Sequence, residues 1–174
     1  GWDHAPFEIP DHVYKLWKRP GRRGRKAHRE WASRLSDSAH KADFERAMSG
    51  TLNEGWLDSF QAYKDKVAAE KPSMATRAAS GKALGPLTQA LTDMISGSAD
   101  LEGSNKTKTP ATSEEIQAGQ YAGRYINYGI REHGMAAAMN GIALHGGIVP
   151  YSGLFMVFMD YCRPSVRLAG LMEQ

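Results

Sequence analysis

A carboxylate flanked by a guanidinium and an imidazole, Arg131-Glu132-His133, stands at the head of a small apolar run from Met135 to Leu144. Side chains of this kind exchange protons, and the junction of a strand with a helix is where α/β folds place their chemistry. Burial against the apolar run favours a proton held or shared by the carboxyl, whereas Arg131 and the helix N-terminus favour the anion. The same triplet also reads as a helix cap with surface ion pairs. Phe155, Phe158 and Tyr161 recur every three residues, a spacing that serves core packing or offers a stacking surface. Taken alone, Arg77 reads as a helix surface residue, Ser104 as a turn residue and Asp100 as a cap or turn residue. His133 and His145 lack ligand-spaced partners, so no metal site is expected within the chain.

The elements that must hold these residues follow from the pattern. Arg124 to Tyr128 alternates and is rich in aromatic and β-branched residues, which predicts a short strand, read as the central one, with a turn at Gly129. A helix over 131–145, apolar nearly all round and therefore buried, comes next. An extended piece, Ile148 to Tyr151, leads to a final helix from about Phe158 to Met172. Strand, helix, strand, helix implies a parallel sheet in an α/β fold, with too few strands for a covered sheet. Upstream, Ala78 to Ile95 is expected to be helical, irregular at Gly81, Gly85 and Pro86, with Leu87, Leu91 and Met94 inward. Residues 95–101 should run into a loop of small residues, and Lys106 to Gln117 should be a polar surface excursion.

Residues 1–70 read differently, as short helices joined by turns. Asp11 caps a helix through Trp17 that Pro20 and Gly21 break, followed by helices at about 25–35 and 41–48 and an amphipathic run from Trp56 that ends near Lys71-Pro72. Trp17 and Trp31 have the spacing of buried anchors.

Composition narrows the class. The chain has 174 residues, 41% apolar and 24% charged, an ordinary globular balance. A single cysteine, Cys162, excludes an internal disulfide and points to a reducing, cytoplasmic setting. The run from Gly134 to Met159 carries no formally charged residue and is mostly apolar, but Asn140, His145, Gly146-Gly147 and Pro150 divide it, so no membrane span is expected. No signal or transit segment is visible, although the chain opens on Gly1 and not on methionine. The net charge of +3 conceals eight basic residues and no acidic one between Lys15 and Arg29. That run suits a nucleic-acid-binding module, yet Pro20, Gly21 and Gly24 interrupt it and no nucleic-acid motif accompanies it. A solvated loop on an enzyme, with no nucleic-acid partner, is the stronger expectation.

Three motifs occur in order: GSADLEGSN, GIREHGM and PYSGLFMVFMDYCRP. Together they resemble the transketolases, thiamin diphosphate enzymes of sugar phosphate metabolism, and the resemblance covers the whole chain, including the opening GWDHAPFEIP. It implies an internal piece. Residues 1–70 would be the tail of the diphosphate-binding domain and a helical connector, and residues 71–174 the truncated front of the pyrimidine-binding domain, an incomplete parallel-sheet fold. By resemblance, Glu132 holds a ring nitrogen of the cofactor's aminopyrimidine and favours its imino tautomer. Phe155, Phe158 and Tyr161 form the aromatic pocket around that ring, Asp100 lies at the cofactor and subunit boundary, and Arg77 and Ser104 bind the substrate phosphate. A guanidinium fork and a loop hydroxyl suit phosphate oxygens. Glu102 and Leu154 depart from the family's usual threonine and small hydroxyl residue. The Gly-Asp-Gly motif and downstream Asn that hold a divalent metal, Mg2+ or Ca2+, on the diphosphate are absent from this chain. The resemblance further implies sugar phosphate substrates, a homodimer with its site at the subunit interface, and two-carbon ketol transfer in the pentose phosphate pathway or Calvin cycle. This chain alone should be inactive. A dihydroxyacetone synthase uses the same cofactor chemistry, and a noncatalytic partner or scaffold is the reading from a different class.

Overall fold

The computed structural model describes residues 1–174 and divides them into two compact units, Gly1–Phe44 and Glu45–Gln174. The first unit is dominated by one helix, α1 (Asp11–Ser36), 26 residues long. The expected break at Pro20 and Gly21 does not occur. Proline removes one N–H and crowds the carbonyl of Leu16, but α1 has no buried residue, so water can serve that carbonyl. The surrounding Lys, Arg, Ala and Leu residues are good helix formers, which offsets the cost of Gly21 and Gly24. Trp17 and Trp31 are not buried anchors in this chain. Trp17 is 82% exposed, and Trp31, also largely exposed, meets the rings of His28 and Phe44.

The unit boundary falls within α2 (Lys41–Met48). Beyond it, Arg46 forks onto both carboxylate oxygens of Asp93 at 2.8 and 2.9 Å and reaches the Thr51 carbonyl at 2.6 Å. Helix α3 (Trp56–Glu70) packs along α4 (Thr76–Ala90). The expected helix through Ile95 ends early, because β1 (Met94–Ser98) begins there.

The sheet has three parallel strands in the order β2 (Tyr125–Asn127), β1, β3 (Val149–Pro150). The central strand is therefore β1, and Tyr125–Asn127 forms an edge, which reverses the expectation. Its sequence, MISGS, carries no alternation because its flanks are crowded. A Cβ on Gly97 would lie 2.4 Å from Tyr128 Cε2 and 2.9 Å from the Ile126 carbonyl. Small residues at this strand are a packing requirement, and they conceal it from a periodicity reading.

The segment after the short helix α5 (Glu102–Asn105) is also more buried than expected. Thr107, Thr109 and Thr112 are buried, with Thr109 bonded to Thr88 at 2.7 Å and to Thr112 at 3.1 Å. The Thr109 and Thr112 hydroxyls satisfy one another and Thr107 Oγ1 donates to Asn105 Oδ1 at 3.1 Å, so a polar sequence becomes interior. Arg124 fastens the edge strand by donating to the carbonyls of Thr88, Leu91, Thr92 and Ala111 at 2.6–3.2 Å.

After β2 comes α6 (Glu132–His145), packed on α7 (Met159–Leu171) and on β3. Only Glu132, Met135 and Ala136 of α6 are buried. The expected all-round burial is not met within this chain: α6 packs mainly on α7 and β3, and Ala137, Ala138, Gly141 and Leu144 stay exposed. The apolar core is small: Leu91, Met94, Ala99, Tyr125, Met135, Ala136 and Cys162.

Candidate functional site

Glu132 is the first residue of α6, and the chain reaches it through a turn at Gly129, whose φ of +66° suits glycine. The turn sends the Arg131 guanidinium back to the Tyr128 carbonyl at 2.9 Å, away from the neighbouring carboxylate. Glu132 is 1% exposed. Its partner is a phenol and not a cation: the Tyr161 hydroxyl donates to Glu132 Oε2, and the Glu132 N–H donates to the same hydroxyl oxygen at 3.2 Å. The surface ion-pair reading of Arg131-Glu132-His133 therefore does not describe this residue.

Helix α7 is held against the first turn and body of α6 by three further bonds. The Cys162 thiol donates to the Glu132 carbonyl at 3.5 Å, Ser165 Oγ to the His133 carbonyl at 3.3 Å, and Asn140 Nδ2 to the Ser165 carbonyl at 2.9 Å. Ser165 Oγ also lies 3.2 Å from His133 Nδ1. Burial pushes the Cys162 thiol above its ordinary pKa, and the Glu132 carboxylate adds to the shift. Spacing alone marked Tyr161 as an aromatic. Its bond to Glu132, and the roles of Cys162, Ser165 and Asn140, escaped the sequence reading; the i, i+1, i+4 face of α7 was the available signal.

The aromatic run splits between a turn and a helix. Phe155 precedes and Phe158 ends a 3-10 turn, Met156–Phe158, and their rings lie 6.2 Å apart and nearly parallel at 5°. Tyr161 follows one turn later on α7. An open cavity of about 560 Å³ brings Arg77, Ser104 and Phe155 together, with Leu154 also in its lining. Arg77 enters from the first turn of α4 and Ser104 from α5. Glu132, Phe158, Tyr161 and Asp100 do not line this cavity. Asp100 is exposed just after β1 and holds φ at +62°, a left-handed conformation that aspartate tolerates better than most residues.

Glu102 is half-buried beside the cavity-lining residues, and its charge acts on Lys108. Lys108 bonds Glu115 at 2.7 Å, which raises the ammonium pKa and lowers that of the carboxylate; the Glu102 charge is a smaller cause of the rise.

Comparison with known proteins reveals what this arrangement belongs to. The transketolase pyrimidine-binding domain matches residues 72–174, and the transketolase thiamine diphosphate binding domain matches residues 1–57. The chain belongs to the transketolase family. Transketolase of Cereibacter sphaeroides is 52% identical over 172 residues, which cover 99% of this chain and 26% of that relative. That of Sinorhizobium medicae is 44% identical, with 99% of this chain and 25% of the relative covered. Among solved structures, a Pichia stipitis transketolase in complex with sedoheptulose-7-phosphate superposes with a TM-score of 0.78 at 31% identity, covering 95% of this chain and 25% of that one. Transketolase from Leishmania mexicana superposes with a TM-score of 0.77, also at 31% identity, with 95% and 25% covered. The chain thus spans about a quarter of the length of its transketolase relatives, and it carries parts of the domains that bind thiamine diphosphate in that family. No helix in it is long and apolar enough to cross a membrane.

Proposed function

We propose that this chain supplies the pyrimidine side of a transketolase active site and that Glu132 is its cofactor-activating carboxylate. The observation that carries the reading is a carboxyl 1% exposed at the head of α6, bonded to a phenol, with no cation bonded to it. A buried carboxyl with one oxygen still open suits a heterocyclic ring nitrogen, because it can share a proton there without competition from a salt bridge. The stacked Phe155–Phe158 pair fits the flat face of an aminopyrimidine.

When bound, thiamin diphosphate supplies the thiazolium carbon that carries the two-carbon ketol unit. The residues of this chain do the rest of the work on their side. Glu132 holds or shares a proton at its free carboxyl oxygen, the aromatic residues exclude water from the ring, and Asp100 marks the cofactor and subunit boundary. Arg77 and Ser104, together in one cavity, anchor the phosphate of the sugar substrate. In this reading residues 1–70 are the tail of the diphosphate-binding domain with its connector, and residues 71–174 begin the pyrimidine-binding domain. The divalent metal and its ligands belong to the parent protein outside this chain. The complete site forms across a homodimer of that cytoplasmic parent and transfers ketol units from ketose phosphates to aldose phosphates.

The test is Glu132→Ala in the full-length protein that carries this sequence. Turnover is expected to fall by about a hundredfold or more, with the sugar phosphate KM changed only a few-fold. An unchanged kcat removes Glu132 from the mechanism.

A further inference from the structure

We infer that the Tyr161 hydroxyl is a positioning group for Glu132: it occupies Oε2, so that Oε1 is the oxygen that holds the carboxyl's own proton and meets the ligand. This rests on the cofactor-activating role proposed for Glu132.

The direction of each bond follows from donor inventory. Tyr161 accepts the Glu132 N–H at 3.2 Å, so its oxygen already has a donor from the backbone. Its single proton then points to Glu132 Oε2, the oxygen bonded to it. An oxygen that receives a phenol proton is the poorer place for a second one. When the carboxyl is protonated, the proton therefore sits on Oε1. When it is ionised, Oε1 is the acceptor free for a ring N–H. The phenol thus makes a two-faced group one-sided.

The arrangement is held rather than incidental. Three bonds besides those of Tyr161 lock α7 to the first turn and body of α6, through Cys162, Ser165 and Asn140. Glu132 is 1% exposed, whereas Tyr161 keeps 48% of its surface open. The hydroxyl is committed to the carboxyl while much of the ring remains available to a ligand. The aromatic ring and the hydroxyl have separable roles, and Tyr161→Phe tests only the second.

The experiment uses the full-length holoenzyme in four forms: wild type, Tyr161→Phe, Glu132→Gln and the double variant. For each, kcat, sugar phosphate KM, cofactor Kd and the circular-dichroism band of the cofactor's imino tautomer are measured. Tyr161→Phe is expected to lower kcat by about tenfold to a hundredfold, the loss of one hydrogen bond to a charged group. It should also weaken the imino band while leaving Kd and KM within about threefold. The double variant should lose little beyond Glu132→Gln, since the phenol acts through the carboxyl. A Tyr161→Phe enzyme with normal kcat and a normal imino band, beside a Glu132→Gln enzyme that loses both, overturns the inference and leaves Glu132 in its role. A rise in cofactor Kd alone overturns it as well, since that is the mark of packing. A Glu132→Gln enzyme equal to wild type removes the underlying reading and this inference together. If Tyr161→Phe does not fold, fluorotyrosine placed at position 161 retains the hydroxyl. Its fluorine resonance must shift on Glu132→Gln, and a resonance that stays put contradicts the proposal.

Discussion

At the scale of the residue, the proposed function assigns substrate anchoring and cofactor activation to different side chains, and their variants should separate in kinetics. Arg77 lines the cavity with Ser104 and is exposed to solvent, so its loss should weaken phosphate binding more than chemistry. Arg77→Ala in the full-length protein is expected to raise the sugar phosphate KM by about tenfold or more while kcat moves less. A loss confined to kcat would remove it from the anchor role. Gly97 is constrained by space and not by conformation. An added Cβ at 2.4 Å from Tyr128 Cε2 and 2.9 Å from a backbone carbonyl forces the sheet to shift. Gly97→Ala should cost about 1–3 kcal/mol in denaturant unfolding; a neutral result would show that the β1–β2 contact is looser than described. From residue type and spacing alone, Glu132 and the spaced aromatics Phe155, Phe158 and Tyr161 stand out as candidates, whereas Arg77 and Ser104 come forward only through the resemblance to transketolases. What could not be read was the partner of Glu132, since a bond between residues 29 positions apart depends on how α7 docks.

At the scale of the element, α3 was legible because Trp56, Phe60, Tyr63 and Val67 recur with helical spacing, and α6 because it is small and apolar nearly all round. The central strand β1 was not. Its Gly97 and Ser98 answer to close neighbours on either side, and a strand flanked by both its partners leaves no alternation to detect. The uninterrupted α1 was missed for the opposite reason: with no buried residue, nothing in packing turns its proline into a break. The buried threonines between Thr107 and Thr112 show a third case, in which polar side chains partner one another and enter the interior.

The same segment yields a pH prediction. The bond to Lys108 lowers the Glu115 pKa, so its stabilisation is present above the unfolded value of about 4.3 and is lost as pH falls through the lower folded value. The bond to Glu115 raises the Lys108 pKa, so that contribution is present below about 10.4 and is lost as pH rises through the higher folded value. Between these limits it is constant. The denaturation midpoints of wild type and Glu115→Gln should therefore differ at neutral pH and converge below about pH 4. A gap that persists unchanged in acid would contradict the pairing.

At the scale of the whole molecule, the proposed function has the chain present one side of a site. Two features of its surface agree with that. One is the exposed apolar face of α6, with Ala137, Ala138 and Leu144; the other is a 26-residue α1 with no buried residue. Both are surfaces that a longer chain can cover, and the chain spans about a quarter of its relatives. The most direct test is a titration of thiamin diphosphate, with a divalent metal present, into the isolated 174-residue chain and into the full-length protein. The account predicts saturable, metal-dependent binding and ketol transfer by the full-length protein, and neither tight binding nor turnover by the isolated chain. Tight stoichiometric binding or robust turnover by the isolated chain would contradict it.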